Sequence, residues 1–377
     1  MRRQTREPTS AASEKRALRP RRRTVVKRTT LAAAGPRSLR RPPGRLERDV
    51  NRDTEPMVED GRPTVGSGTT QVRWRRAGCT LVAHDFGGTG PVVLLLHGLA
   101  GYAGEWSGTA AWLTARARVV ALDARGHGAS EREPADVARA AHVEDAADAI
   151  DRIGAGPAVV VGQSLGGVTA LLLAAQHPQL VRGLVLIEAS PAGTDDPEEA
   201  HRAGDAIARA LQEWPVPFAS ADAAVAFFTA RFGSRAAGLV WAGGLEERDG
   251  QLWPRFDIGV MRETLVRVTL GSYWHEWAQI RCPILLVRAA PGVIGDELVV
   301  AMRERQSNMI VIDVCGAGHD IHLVAPMDWR SALTTFLDRL PETTSGLRRA
   351  RPTGSAARQE FGPQGHRDPL DEGGLSG

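Results

Sequence analysis

Gly162-Gln163-Ser164-Leu165-Gly166 stands between an apolar run with buried-strand character, residues 158–161, and a run with helical character, residues 168–176. Where a strand turns sharply into a helix, the corner residue is forced into a strained backbone conformation that lifts its side chain clear of both elements. The glycines two positions to either side remove side chains that would crowd the corner. The stretch therefore predicts Ser164 as a nucleophile. The Leu165 N–H, at the positive end of the following helix, is placed to meet a developing negative charge.

Outward from this corner, short apolar runs recur at Val92–Leu96 and at residues 119–122, 184–187, 284–287 and 310–314. They are apolar at successive positions, as strands buried on both faces are, and read as central strands of a parallel sheet. Helical patterns at residues 137–153, 168–176 and 328–340 alternate with them, which implies right-handed crossovers and helices on both faces. A hairpin, residues 71–76 and 80–85 turning at Ala77-Gly78, is expected at the sheet edge. The rhythm breaks once, in about 90 residues between Ile187 and Ile284, too many for a crossover. Residues 190–277 read as mostly helical and hold 11 of the 19 aromatic residues. Trp214, Phe218, Phe227, Phe228, Phe232, Trp241, Trp253 and Trp274 are candidates to line an apolar pocket there, most of them serving as the segment's own core.

The 377 residues divide by composition into five parts: a basic tail at 1–56, core at 69–189, an inserted helical segment at 190–277, further core at 278–341 and a second tail at 342–377. Residues 1–56 carry 17 Lys or Arg against 6 Asp or Glu, a net +11; with +3 for the whole chain, the other 321 residues carry −8. The core is mildly acidic, which gives no reason to expect a nucleic-acid partner. Both tails lack periodic apolar pattern and are expected to be disordered. Arg22-Arg23-Thr24-Val25-Val26-Lys27 resembles a twin-arginine signal, but the apolar stretch after it, residues 29–34, is too short for export. Met57 is a candidate for the true start. No apolar run reaches the roughly 18 residues that span a bilayer. Cys79, Cys282 and Cys315 have no metal-ligand spacing and are expected as buried free thiols in a reducing cytoplasm.

A serine hydroxyl needs a neighbouring base of near-neutral pKa. Of ten histidines, His319 is the best placed, in Gly316-Ala317-Gly318-His319-Asp320 between a late strand and the final helix. His322, three residues on, reads as structural or as facing the inserted segment. His97-Gly98-Leu99 ends the run Val92–Leu96, and the glycine-rich loop beyond it can aim the Leu99 N–H at the reaction centre, paired with that of Leu165. His97 itself reads as a brace for that loop.

With His97-Gly98, the run Asp123-Ala124-Arg125-Gly126-His127-Gly128-Ala129-Ser130, the corner at Ser164 and Gly318-His319 in this order, the chain resembles the α/β-hydrolase fold family over roughly residues 70–340. The resemblance implies an eight-stranded, mostly parallel sheet, helices on both faces, a helical cap after strand six, and hydrolysis of an ester, thioester or lactone. It also implies that Asp123 and His127 belong to a structural turn. Serine at the corner separates the chain from haloalkane dehalogenases and epoxide hydrolases, which use aspartate there. The chain departs from the family's pattern after strand seven, where the triad acid usually stands: residues 284–287 run into Arg288-Ala289-Ala290-Pro291-Gly292, with no carboxylate. Asp296 and Glu297 come later and are expected to open a helix. Glu188 ends the sixth strand, where some family members, certain haloalkane dehalogenases among them, place their acid. Glu188, Asp296 and a missing acid all remain open, with Glu188 first.

The expected activity is thus hydrolysis of a small, largely apolar acyl substrate by Ser164, His319 and Glu188, with no cofactor and no metal. Two rivals stand beside it: an acyltransferase or perhydrolase using the same serine, and a ligand-binding protein on a decayed hydrolase scaffold. Nothing in the sequence fixes the substrate's identity or the oligomeric state.

Overall fold

The computed structural model describes residues 68–341 apart from Ala155 and Pro291; both expected tails lie outside the described residues. In chain order the elements are β1 (Thr70–Arg76), β2 (Cys79–Gly87), β3 (Val92–Leu96), α1 (Ser107–Leu113), β4 (Arg118–Asp123), α2 (Arg139–Ile153), β5 (Ala158–Gln163), α3 (Leu165–Gln176) and β6 (Val181–Ile187). There follow α4 (Pro197–Gln212), α5 (Ala221–Phe232), α6 (Arg235–Gly243), β7 (Leu245–Arg248), β8 (Gln251–Pro254), α7 (Ile258–Thr269) and α8 (Trp274–Gln279). The chain closes with β9 (Ile284–Ala290), α9 (Asp296–Arg305), β10 (Ile310–Cys315), α10 (Ile321–Val324) and α11 (Pro326–Arg339).

Eight strands form one sheet in the order β1-β2-β4-β3-β5-β6-β9-β10. β1 and β2 pair antiparallel, β2 meets β4 antiparallel, and the remaining neighbours are parallel. The first turn needs positive φ at both Ala77 (46°) and Gly78 (82°), the requirement of a tight hairpin between twisted strands.

The apolar runs are explained by two cores. Side chains alternate across the pleat, so Val92, Leu94 and Leu96 enter one cluster while Val93 and Leu95 enter the other. The first cluster is covered by α2, α3, α8 and α9 through Val143, Ile150, Leu171, Trp277 and Met302. On the opposite face, Leu113 of α1 and Trp329, Leu333 and Phe336 of α11 cover the second. Each fully buried leucine contributes roughly 2–3 kcal/mol of apolar transfer, which favours this arrangement over one with an open face.

Two expectations need correction, and a third, the mostly helical pattern of residues 190–277, holds with one addition. The strand at residues 310–314 is the sheet's edge, β10, and not a central strand: it has one neighbour, and Asp313 and Cys315 are exposed. Cys315 is accordingly an exposed thiol and Cys282 is half-buried, leaving Cys79 as the buried cysteine. Within residues 190–277 the structure has an antiparallel hairpin, β7–β8, beside five helices. Its turn is Asp249-Gly250, with φ of 52° and 74°; that Asp-Gly pair was the signal for a strand pair inside an otherwise helical pattern.

Candidate active site

Ser164 follows β5 and stands at the N-cap position of α3 with φ 49° and ψ −112°, a conformation L-residues rarely adopt. Its N–H stays in the sheet, donating to Ile187 O at 2.9 Å, so the strand holds the strained residue in place. The flanking glycines are required by contact. A Cβ on Gly162 would fall 2.2 Å from Gly166 O, one on Gly166 2.3 Å from Leu96 O, and one on Gly167 2.3 Å from the Ala189 Cβ. Leu165 is the first residue of α3, so its N–H has no partner within the helix.

The turn after β3 packs against this corner. Gly101 N–H donates to Gly98 O at 3.1 Å, and Ala100 between them has φ 63°. A Cβ on Gly98 would lie 2.0 Å from Gln163 Oε1 and 3.5 Å from the Ser164 Cβ, so the peptide leading into Leu99 lies close to the serine. His97 Nε2 accepts from Ala124 N–H at 3.0 Å, which places the ring proton on Nδ1, where it is donated to Gly98 O at 2.7 Å. With both ring nitrogens engaged, His97 braces the turn.

Gln163 ties His319 to the corner at Ser164: its Nε2 donates to His319 O at 3.1 Å, anchoring the loop before α10 beside residue 164. His319 Nδ1 lies 3.7 Å from Glu188 Oε2, an ion-pair distance longer than a direct hydrogen bond. The Glu188 side chain has no solvent exposure, while that of His319 is 44% exposed. Partial burial pushes the His319 pKa down, but the carboxylates of Glu188 and Asp320 push it up by more, so it stands above the usual histidine value.

Glu188 follows β6 with φ 50°. Its Oε1 accepts from Ala289 N–H at 2.7 Å and its Oε2 from Val293 N–H at 3.0 Å. A Cβ on Gly292 would come within 2.7 Å of Oε1. The segment after β9, which lacks a carboxylate, thus supplies two backbone donors and a bare glycine around one that arrives from β6. Asp296 is elsewhere: it opens α9, is 89% exposed and accepts from Arg288 Nη2 at 2.5 Å. Ala100, Ser164 and Glu188 are three of the five positive-φ non-glycine residues among the described residues, so backbone strain gathers here.

The Asp123 turn is structural. Asp123 accepts from Ala103 N–H at 2.6 Å and Ala129 N–H at 2.9 Å; burial pushes its carboxyl pKa up, and His84 together with these donors brings it below the usual range. Burial pushes the His127 imidazole down to about 3, which keeps it neutral. His322 is buried, stacks on Trp106 at 4.3 Å and meets Glu105 Oε1 at 3.1 Å, so it packs in the core and not against the inserted segment.

Sequence reasoning missed Asp320. Burial raises its carboxyl pKa; its Oδ1 is 3.5 Å from Gln163 Nε2, and its Oδ2 accepts from Trp241 Nε1 of α6 at 3.3 Å. Its place directly after His319 was the available signal. Trp214, Phe218 and Phe228 are packed as a core together with Phe256, which sequence reasoning also missed, and Phe227, Phe232 and Trp241 pack against them. Trp274 departs from the expectation: it sits under Arg305 at 4.7 Å and against the sheet's core. Among the described residues no cluster of His, Cys, Asp or Glu has the geometry to hold a metal, and no helix is long and apolar enough to cross a membrane.

Comparison with known proteins agrees with this architecture. A family model described as alpha/beta hydrolase fold matches residues 91–236. A 2-(acetamidomethylene)succinate hydrolase of Mesorhizobium japonicum is 26% identical over 255 residues, covering 67% of this chain and 89% of that protein. An esterase of Mycobacterium tuberculosis is 28% identical over 250 residues, 64% of this chain and 80% of the esterase. Among solved structures, an E-2-(acetamidomethylene)succinate hydrolase superposes with a TM-score of 0.65 at 25% identity, over 72% of this chain and 99% of that one.

Proposed function

This chain belongs to the α/β-hydrolase fold family and is a hydrolase, and on that premise we propose that it cleaves carboxylic esters by way of an acyl-enzyme on Ser164. The observation that carries the proposal is the buried Glu188 carboxylate, 3.7 Å from Nδ1 of a histidine whose own carbonyl is bonded to the residue preceding the strained serine.

Ser164 Oγ attacks the substrate carbonyl while His319 Nε2 takes the hydroxyl proton. Glu188 holds Nδ1 and offsets the charge of the imidazolium, in keeping with the raised His319 pKa. The Leu99 and Leu165 N–H groups receive the developing oxyanion, the second with the α3 dipole behind it. The tetrahedral adduct collapses, breaking the C–O bond as His319 returns its proton to the leaving alcohol. Water then gives a proton to Nε2, adds to the acyl carbon, and releases the acid and free Ser164.

Residues 190–277 serve as the cap in this reading, with Trp241 reaching down to Asp320. The substrate is a small, largely apolar acyl compound, in keeping with the aromatic packing above Leu99 and Ala100. Three unpaired cysteines favour a reducing, cytoplasmic setting. Glu188 beside His319 weighs against the decayed binding protein, whose support was a missing acid. Hydrolysis is separated from acyl transfer and perhydrolysis by following p-nitrophenyl butyrate turnover with added alcohol or peroxide. Free acid as the sole product supports hydrolysis; butyryl ester or peracid as the main product refutes it.

A further inference from the structure

A shallow recess, largely open to solvent, lies where the inserted segment meets the turn after β3. Ala100, the neighbour of the oxyanion donor Leu99, forms one wall, and Trp241, whose indole rests on Asp320 beside His319, forms another. Most of the lining is apolar or aromatic, Trp214 and Phe256 included, yet two of its residues, Trp214 and Arg255, carry N–H groups without acceptors. Trp214 is 6% exposed, and its Nε1 is buried without a hydrogen-bond partner. Arg255 uses only Nε, on Leu245 O at a long 3.4 Å; among the described residues no protein acceptor meets its Nη groups and no carboxylate pairs with it. The neighbouring Arg132, by contrast, engages both Nη groups, on Glu246, Pro254 O and Phe256 O. The remaining polar group, Tyr102 OH, already donates to Val240 O at 2.9 Å. A buried donor without an acceptor is costly, and a half-buried guanidinium beside apolar walls favours a planar anion that takes two N–H groups at once.

We propose that this recess binds a carboxylate carried on the acyl chain of the substrate, with Arg255 as the fork and Trp214 Nε1 as a second donor. The preferred ester is then a half-ester of a short dicarboxylic acid: apolar along its methylenes, anionic at the far end. The preference rests on the serine-hydrolase reading; the anion site does not.

Two methyl esters separate charge from shape: monomethyl glutarate, and methyl 5-methylhexanoate, in which an isopropyl group replaces the carboxylate. Wild type is expected to favour monomethyl glutarate in kcat/KM, and Arg255→Leu to reduce that preference by about 10- to 100-fold. Arg255→Lys, which keeps the charge and loses the fork, falls between them. A wild-type preference for the neutral ester, or an unchanged ratio in a variant with native circular dichroism, overturns the proposal. Free glutarate, titrated by calorimetry, reads the site without chemistry: binding to wild type that weakens at least about 10-fold in Arg255→Leu supports it, and no binding, or equal binding to both, overturns it. If neither ester is cleaved and a fluorophosphonate leaves Ser164 unlabelled, the hydrolase reading has failed by itself, and the glutarate titration still decides the recess.

Discussion

Replacing Glu188 by Gln removes one charge at nearly constant shape, and the structure sets the size of the effect. At the observed 3.7 Å between His319 Nδ1 and Glu188 Oε2, Coulomb's law gives about 4 kcal/mol at an effective dielectric of about 20 and about 1 kcal/mol at that of water. His319 is 44% exposed, so the screened value lies between, near 2 kcal/mol, or about 30-fold in rate. Loss of the group that fixes the ring's tautomer adds to this, and kcat should fall on the order of 10²- to 10³-fold. Glu188 accepts backbone N–H groups on both oxygens, and a carboxamide turned either way sets an NH₂ against one of them. Stability should drop by roughly 1–3 kcal/mol. The acidic limb of the pH–rate profile carries a separate signature. His319 must be neutral to act, so activity rises with pH through its raised pKa; without the Glu188 charge the limb moves to lower pH while the plateau falls. Steady-state kinetics on p-nitrophenyl butyrate across pH, with urea unfolding in parallel, measures all three. A Glu188→Gln enzyme that is folded, keeps kcat within about twofold and shows an unmoved limb removes Glu188 from the mechanism.

Asp296→Asn is the matching control: its carboxylate is exposed and paired with Arg288, so kcat should not change and stability should shift by under about 1 kcal/mol in urea unfolding. Gly166→Ala drives a Cβ to 2.3 Å from Leu96 O and 2.6 Å from His97 O, backbone that cannot step aside, so it should cost roughly 3 kcal/mol or more and abolish activity, as read by thermal unfolding and turnover. Acid should destabilise the fold through His127 and His142, whose folded pKa values burial depresses, to about 3 for His127. Their neutral forms favour the native state above the unfolded pKa of about 6.5, and that stability is lost as pH falls below it. By pH 4.5 His127 alone should remove about 3 kcal/mol, visible as a falling melting temperature; a flat profile between pH 7 and 4.5 contradicts the burial argument.

The parts of the fold legible in the sequence are those whose signal is local. Val92–Leu96 is apolar at all five positions because β3 is covered on both faces, and β3 has those limits. The corner was readable because Gly162 is demanded by a contact with Gly166 O four residues on, so strand, serine and helix start share one short stretch. Gly166 answers to the distant Leu96 and His97 carbonyls, but as a glycine in the same stretch it was visible too. What stayed hidden depends on distant chain. Residues 310–314 look like a central strand because their apolar content does not reveal whether β10 has a second neighbour. The surroundings of Glu188 were not legible because they are made by Ala289 and Val293, about a hundred residues later, and by a Gly292 that leaves room for its carboxylate. Asp320 escaped for the same reason: its partners Gln163 and Trp241 come from β5 and α6.

The central claim is that Ser164 and His319 act as one nucleophile–base pair, and covalent labelling tests it most directly. The full-length protein is treated with a fluorophosphonate, and intact mass and the labelled peptide are followed in wild type, Ser164→Ala and His319→Ala. One adduct per chain on Ser164, absent from Ser164→Ala and slowed on the order of 10²-fold or more in His319→Ala, is the predicted result. A folded wild type that takes up no label, or labelling at the same rate without His319, contradicts the claim.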